Sequence, residues 1–324
     1  MSFVLTIAGL IMLLFGAEFL VRGAVALARR LNVSPMVIGL TIVAYGTTAP
    51  ELVVSLKAAL IGAPGIAVGN VVGSNIANIL LILGTSAVIF PIVCQPRKLI
   101  RDGAVIGIVA VMFALLGLGG VITPWHGIPM LAALVVISVY AFISERRGGG
   151  AAEIHEHEEA EFEDVPQALW LTLLAIIGGV TSVVLGAQLL LDGAIELARM
   201  FGVSEAVIGL TLVAIGTSLP ELATAVVAAY RRHSDVALGN VLGANLYNIL
   251  GIMGVVSVIT PITIPAQMVA FDLWVLVAVT LALLTAIFAA RGISRPLGIG
   301  FLMLYAGYVA IEYYGVSAIV PGLG

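Results

Sequence analysis

The chain contains two long copies of one sequence, separated by 170 residues. Residues 37–52 (VIGLTIVAYGTTAPEL) match residues 207–222 (VIGLTLVAIGTSLPEL) at twelve of sixteen positions. In the same register and without a gap, residues 69–84 match residues 239–254 at ten of sixteen positions. A repeat of this kind restricts the fold more than any single motif, because both copies are expected to form the same local structure.

The composition predicts that both copies lie in a membrane. Of the 324 residues, 61% are hydrophobic and 10% are charged, with a mean hydropathy of +1.19. Soluble domains carry about 25% charged residues, so a soluble enzyme, a disordered chain and a nucleic-acid-binding protein are all poor interpretations. A single cysteine, Cys94, excludes a disulfide framework. Ten segments are long and apolar enough to cross a bilayer as helices. They are residues 3–28, 33–60, 66–91, 100–120, 125–143, 167–199, 204–230, 236–260, 269–290 and 296–315.

The basic residues predict the orientation of these spans. Eleven of the fourteen lysines and arginines lie at alternate ends of the spans: Arg29, Arg30, Arg97, Lys98, Arg101, Arg146, Arg147, Arg231, Arg232, Arg291 and Arg295. The positive-inside rule then places both termini outside a plasma (inner) membrane and the linker 144–166 in the cytoplasm. That linker is acidic, because residues 151–165 contain seven of the eighteen acids.

The linker divides the chain into two equivalent halves. Residues 1–143 and 167–324 each contain five predicted spans, and an odd number means that the two copies enter the membrane from opposite sides. The predicted fold is therefore an all-α polytopic membrane protein. Its ten transmembrane helices form two inverted-topology five-helix repeats with broken helices at the midplane, an architecture common among secondary transporters.

One glutamate in each copy indicates where ions bind. Glu51 and Glu221 are central in apolar spans and have no basic residue within five positions. An uncompensated carboxylate at the bilayer centre costs on the order of 2.5–3.5 kcal/mol. Two at equivalent positions favour a bound cation as the compensating charge. The alternative is that both are protonated packing residues.

The residues around Glu51 favour this interpretation. Thr47, Thr48 and Glu51 are spaced so that their oxygens share one helix face. Pro50 has no N–H for the carbonyl of Gly46, so the helix is expected to break and leave carbonyl oxygens free. The second copy repeats the pattern with Thr217, Ser218, Pro220 and Glu221.

The second repeated segment adds further oxygen ligands. Ser74 and Asn78 lie one helical turn apart, and Asn248 is equivalent to Asn78. Carboxylate, carbonyl and hydroxyl oxygens are the ligands of hard cations such as Na⁺ and Ca²⁺. Sulfur and imidazole ligands are absent from these motifs, which argues against zinc and copper.

These motifs carry a family resemblance. GTTAPEL and GTSLPEL, with GSNIAN and GANLYN, resemble the paired repeats of the Ca²⁺/cation antiporter superfamily, in particular its prokaryotic sodium/calcium exchanger branch of the YrbG type. The resemblance implies that ion sites cluster among the second, third, seventh and eighth spans. It further implies that the long first and sixth spans act as a sliding gate.

The resemblance also implies a role for each site residue. Glu51 and Glu221 would bind both Ca²⁺ and Na⁺. The remaining ligands would be the carbonyls of Thr47 and Thr217 for Ca²⁺, the carbonyls of Ala44 and Ala214 for Na⁺, the hydroxyls of Thr48, Ser218 and Ser74 for Na⁺, and Asn78 and Asn248 at the central position.

Two residues depart from the family pattern. Ala244 replaces a usual serine, and Asn248 replaces an aspartate that is frequent in relatives, which leaves a site charge of −2 from Glu51 and Glu221. The expected function is exchange of Ca²⁺ for Na⁺ by alternating access, with lipid as the surrounding medium and no cofactor, nucleic acid or protein partner. A K⁺-dependent exchanger, an H⁺/Ca²⁺ antiporter and a Ca²⁺-permeable channel are the alternatives. The sequence contains neither a phosphate-binding loop motif nor a nucleophile motif, so it gives no indication of an enzyme.

Overall fold

The computed structural model describes residues 2–93, 96–147, 168–201, 216–289 and 291–314, most of which are helical. Cys94 and most of the acidic linker lie outside these ranges. The helices are Ser2–Leu31, Pro35–Ile38, Ala44–Thr47, Ala49–Leu60, Pro64–Ala77, Gly84–Ile89, Pro96–Gly117, Pro124–Arg147, Leu169–Met200, Leu219–Tyr230, Ser234–Leu246, Met253–Ile259, Leu273–Ala289 and Arg295–Tyr314. Wider π-helical turns occur at Gly39–Val43, Asn78–Leu83, Tyr247–Ile252 and Met268–Asp272.

Several of these helices have the length and composition of membrane spans. Within the described ranges, seven helices are long and apolar enough to cross a bilayer. The bent pair formed by Pro35–Thr47 and Ala49–Leu60 raises this number to eight. Large apolar side chains on the first helix, including Phe3, Ile7 and Phe15, are more than half exposed, as expected for a surface that faces lipid. The prediction of a multi-pass helical membrane protein is therefore confirmed.

The described residues fall into two compact units. The first lies within Met1–Thr48 and Val136–Gly243, and the second lies within Ala49–Val135 and Ala244–Gly324. Each unit contains segments from both copies of the sequence repeat.

In the first unit, the two longest helices, Ser2–Leu31 and Leu169–Met200, pack antiparallel with their backbones close together. Each helix carries a glycine at every seventh residue, at Gly9, Gly16 and Gly23 and at Gly179, Gly186 and Gly193. A Cβ atom on Gly186 would lie only 2.6 Å from the backbone nitrogen of Leu13. Small residues permit such close approach in membranes, where packing rather than the hydrophobic effect drives helix association.

Charged residues of helix Ser2–Leu31 form a cluster with an arginine that follows helix Leu219–Tyr230. Arg22 Nε lies 2.6 Å from a carboxylate oxygen of Glu18, four residues earlier on the same helix, a spacing at which opposite charges pair. Arg231, which follows helix Leu219–Tyr230, also pairs with Glu18, with 3.0 Å between Arg231 Nε and the second carboxylate oxygen. His233, two residues after Arg231 in the same loop, is buried. Burial lowers the pKa of His233 to about 4, and the positive charges of Arg29 and Arg231 act in the same direction.

In the second unit, two short antiparallel strand pairs join the ends of the helices. Strand β1 (Ile92–Val93) pairs with β4 (Gly292–Ile293), and β2 (Val121–Ile122) pairs with β3 (Ile262–Thr263). These strands were not predicted, because two residues are too few to produce a periodic pattern. A shift of 170 residues places β1 on β3, and a shift of 171 residues places β2 on β4. The two pairings therefore join corresponding segments of the two halves.

Candidate cation-binding site

The motif GTTAPEL lies at a break between two helices. Helix Ala44–Thr47 ends at Thr48, which has φ −84° and ψ 5°. The next helix, Ala49–Leu60, makes an angle of 45° with the segment that precedes the break. Because Pro50 has no N–H to donate, the regular hydrogen-bond pattern is interrupted here. The predicted break is confirmed.

Several oxygen atoms of the first unit lie close together at this break. The Thr48 hydroxyl donates to the carbonyl of Ala44 over 2.5 Å, and the Thr48 N–H donates to the same carbonyl over 3.0 Å. The Thr47 hydroxyl lies 3.3 Å from the amide oxygen of Asn240. Both threonines are fully buried. A hydroxyl that donates one hydrogen bond keeps its lone pairs, so Thr48 can still bind a cation.

The second copy, GTSLPEL, has the same local structure. Ser218 has φ −89° and ψ 7°, nearly the values of its equivalent Thr48, and helix Leu219–Tyr230 begins directly after it. Thr217 occupies the turn before Ser218. Ala214, the predicted carbonyl ligand of this copy, lies outside the described residues.

Glu221 is a buried carboxylate within the first unit. Its side chain has no exposed surface. Neither of its carboxylate oxygens has a hydrogen-bond partner in the part of the chain that the structure describes. The nearby Thr224 hydroxyl donates instead to the carbonyl of Pro220, over 2.8 Å. A buried carboxylate without partners is costly unless a cation or a proton neutralises it.

Glu51, in the second unit, is buried to the same degree, with 1% of its surface exposed. The side-chain amide of Asn70 donates to the main-chain carbonyl of Glu51 over 3.3 Å and to the Ser55 hydroxyl over 3.0 Å. Asn70 therefore connects helix Pro64–Ala77 to the turn of helix that carries Glu51.

The other predicted ligands of the second unit are buried polar residues on two helices. Ser74, Asn78 and Asn248 are at most 5% exposed. The Asn78 side chain donates its N–H to the amide oxygen of Asn245 over 2.9 Å, while its own amide oxygen is buried and accepts no hydrogen bond from the described residues. Both amide atoms of Asn248 are likewise buried and lack a partner within the described ranges. Asn78 and Asn248 thus offer oxygen atoms suited to Na⁺ or Ca²⁺.

The predicted site residues divide between the two units, with one glutamate in each. The first unit contains Ala44, Thr47, Thr48, Thr217, Ser218 and Glu221, and the second contains Glu51, Ser74, Asn78 and Asn248.

Sequence reasoning missed four asparagines that pack around these residues. Asn70, Asn75, Asn240 and Asn245 are largely buried and three of them are at most 2% exposed. The available signal was the repeat itself, because Asn70 and Asn240 are equivalent under the 170-residue shift, as are Asn75 and Asn245. A buried amide retained in both copies indicates a hydrogen-bonding role.

Buried carboxylates beside broken helices in a multi-pass helical protein are typical of secondary transporters of ions. Comparison with known proteins identifies the family. Residues 1–143 and 171–314 match the sodium/calcium exchanger protein family, so the chain belongs to that family.

Individual relatives support this assignment over nearly the whole chain. The sodium/calcium exchanger MaX1 of Methanosarcina acetivorans is 30% identical over 97% of this chain and 99% of its own length. The inner membrane protein YrbG of Escherichia coli is 34% identical over 92% of each chain. A solved structure of the sodium-calcium exchanger NCX_Mj, soaked with zero Na⁺ and Ca²⁺, is similar with a TM-score of 0.83 and 33% identity over 95% of this chain and 98% of that chain. The resemblance inferred from the repeated motifs is confirmed.

Proposed function

We propose that the chain is a secondary antiporter that exchanges cytoplasmic Ca²⁺ for external Na⁺ by alternating access. Membership of the sodium/calcium exchanger family supports this function. The single observation that carries it is Glu221, a fully buried carboxylate without a hydrogen-bond partner among the described residues, directly after a break in an apolar span. Its equivalent in the other repeat, Glu51, is also buried.

The charge of the two glutamates explains why the ions would be exchanged rather than leak. Glu51 and Glu221 together carry −2, which one Ca²⁺ or more than one Na⁺ can neutralise. Because both ions compete for the same carboxylates, only one type binds at a time. Conformational change with the carboxylates empty would move two charges through a medium of low dielectric constant, which is strongly unfavourable. Movement is therefore restricted to the loaded states.

We assign the remaining ligands as the family resemblance implies. Thr47 and Thr217 provide carbonyl oxygens to Ca²⁺, Ala44 and Ala214 provide carbonyl oxygens to Na⁺, Thr48, Ser218 and Ser74 provide hydroxyls to Na⁺, and Asn78 and Asn248 line the centre. The burial of the described members and the free amide oxygens of Asn78 and Asn248 support this assignment.

The proposed architecture has ten spans in two inverted repeats. Besides the seven long helices and the bent pair, the described residues include two shorter apolar helices, Gly103–Gly117 and Leu219–Tyr230, which supports this proposal. The β1–β4 and β2–β3 pairings join corresponding segments of the chain, which favours two related halves, 1–143 and 167–324. The distribution of basic residues favours outside termini and a cytoplasmic linker at 144–166.

The function is tested by measuring Ca²⁺ uptake into proteoliposomes under an imposed Na⁺ gradient. We expect robust uptake with the unmodified protein and none with Glu221→Gln or Glu51→Gln. Glu196→Gln is a matched control, because Glu196 is an exposed acid on helix Leu169–Met200 and should leave uptake unchanged. Full activity of either site variant would refute the proposal.

Gradients of K⁺ and H⁺, each imposed alone, separate the alternatives. Uptake that requires K⁺ in addition to Na⁺ would indicate a K⁺-dependent exchanger. Uptake driven by H⁺ without Na⁺ would indicate an H⁺/Ca²⁺ antiporter. Ca²⁺ entry that needs no counter-ion gradient would indicate a channel.

A further inference from the structure

Three asparagines in the second unit form a short chain of hydrogen bonds. Asn245 donates its side-chain N–H to the main-chain carbonyl of Asn75 over 3.3 Å. Asn78 donates its side-chain N–H to the amide oxygen of Asn245 over 2.9 Å. The chain ends at the amide oxygen of Asn78, which is buried and accepts no hydrogen bond from the residues described.

These hydrogen bonds determine which end of the Asn78 amide faces away from Asn245. An asparagine amide has one oxygen that accepts and one nitrogen that only donates. A flipped Asn245 would set its amide oxygen against the Asn75 carbonyl, so Asn245 keeps the orientation described. With Asn245 in that orientation, a flipped Asn78 would set its amide oxygen against that of Asn245. Only one arrangement satisfies all the contacts, and it leaves the Asn78 oxygen rather than its N–H group available to a cation. Asn245 is therefore positioned to hold Asn78 in the orientation that can bind an ion.

The equivalent asparagine of the other repeat behaves differently. Asn75 corresponds to Asn245, but its side chain donates back to the carbonyl of Val71 on its own helix, over 2.6 Å. Asn248, the equivalent of Asn78, has no hydrogen-bond partner for either amide atom within the described part of the chain. Asn78 and Asn245 are thus hydrogen-bonded to each other, whereas no hydrogen bond joins their repeat equivalents, Asn248 and Asn75, among the described residues.

Such a difference between two inverted copies has a simple consequence. If both copies had the same conformation, the two faces of the membrane would be equivalent and the ion site would open equally to both. Opening to one face therefore requires the copies to differ, and opening to the other face is obtained when they exchange conformations.

We propose that Asn245 is a positioning residue that orients Asn78 for ion binding in the state described here, and that Asn75 orients Asn248 in the opposite-facing state. This inference rests on the proposed ion-exchange function. In the opposite-facing state, Asn75 donates no longer to Val71 but contacts Asn248, while Asn245 releases Asn78. In each state, the cation then contacts the amide oxygens of Asn78 and Asn248, one of which is held in place by an asparagine of the other repeat while the other is free to rotate.

The first test measures Ca²⁺ binding without transport, by the thermal stabilisation of purified protein in detergent as Ca²⁺ is added. We expect Asn245→Leu to weaken binding about tenfold, as is typical when a residue that orients a metal ligand is lost. In an Asn78→Asp background the same change should have little effect, because a carboxylate presents an oxygen in either orientation. Additive effects of the two substitutions would overturn the positioning role.

The second test measures the half-saturating Ca²⁺ concentration for exchange from each face of the membrane, in proteoliposomes with known protein orientation. Asn245→Leu should raise this concentration at one face, and Asn75→Leu should raise it at the other. Equal effects at both faces, or none in either variant, would overturn the proposed exchange of roles. Absence of Na⁺-driven uptake by the unmodified protein would instead refute the exchange function, and the binding test would still decide whether Asn245 orients Asn78.

Discussion

Replacing Gly179 by alanine should loosen the packing between helices Ser2–Leu31 and Leu169–Met200, whereas the same replacement at Gly178 should not. A methyl group on Gly179 would lie 2.7 Å from the backbone nitrogen of Leu20 and 2.9 Å from the carbonyl oxygen of Gly16. At Gly178, no described atom outside its own stretch of helix lies within 4 Å of the added methyl group. The two neighbouring glycines therefore form a matched pair of sites.

The expected difference in stability follows from this geometry. Non-bonded contact of a carbon atom is favourable at about 3.5–4.0 Å, so the added methyl group requires the two backbones to separate by roughly 1 Å. A gap of that size removes about a quarter to a half of the dispersion energy of the atoms that face it. Overpacking of this kind costs about 1–3 kcal/mol. The higher helix propensity of alanine, about 1 kcal/mol relative to glycine, affects both variants equally and cancels in their difference.

Thermal unfolding of the two purified variants in detergent measures this difference. Gly179→Ala should have a lower Tm than the unmodified protein, and Gly178→Ala should have an equal or higher Tm. Because this helix pair is the proposed gate, Na⁺-driven Ca²⁺ uptake should also fall in Gly179→Ala alone. Equal Tm values for both variants would show that the glycines do not set the distance between the helices.

Two further predictions concern the charged loop after helix Leu219–Tyr230. The pKa of His233 falls from 6.5 to about 4 on folding, so the unfolded chain binds a proton that the folded protein does not. The stability contributed by neutral His233 is therefore complete above about pH 6.5 and is lost as the pH falls towards about 4, by about 3 kcal/mol in total. His233→Gln should lose less Tm than the unmodified protein between about pH 7 and about pH 5, and equal losses would contradict this. Arg231→Gln should lower the free energy of unfolding by less than about 1 kcal/mol, because Arg231 is 45% exposed and Glu18 keeps its pairing with Arg22. A much larger loss of the free energy of unfolding, or a loss that is as large at high salt as at low salt, would show that the Arg231–Glu18 pair is a structural requirement.

Local sequence determined much of this protein. The apolar runs specified membrane helices because a bilayer leaves the backbone little choice but to satisfy its own hydrogen bonds. The proline in each GTxxPE motif specified the helix break, since its missing N–H affects only the preceding turn of the same helix. Glu51 and Glu221 could be selected as candidate ion ligands because a carboxylate in an apolar span requires compensation wherever the span is placed.

Only the tertiary structure decided which partners the buried polar residues take. Asn75 and Asn245 occupy the same place in the repeated motif, yet one bonds to its own helix and the other joins residues of both repeats. Likewise, Arg231 reaches Glu18 across more than two hundred positions of the chain, a distance at which spacing predicts nothing. The sequence of a segment supplies its donors and acceptors, but their pairing depends on which helices fold against each other.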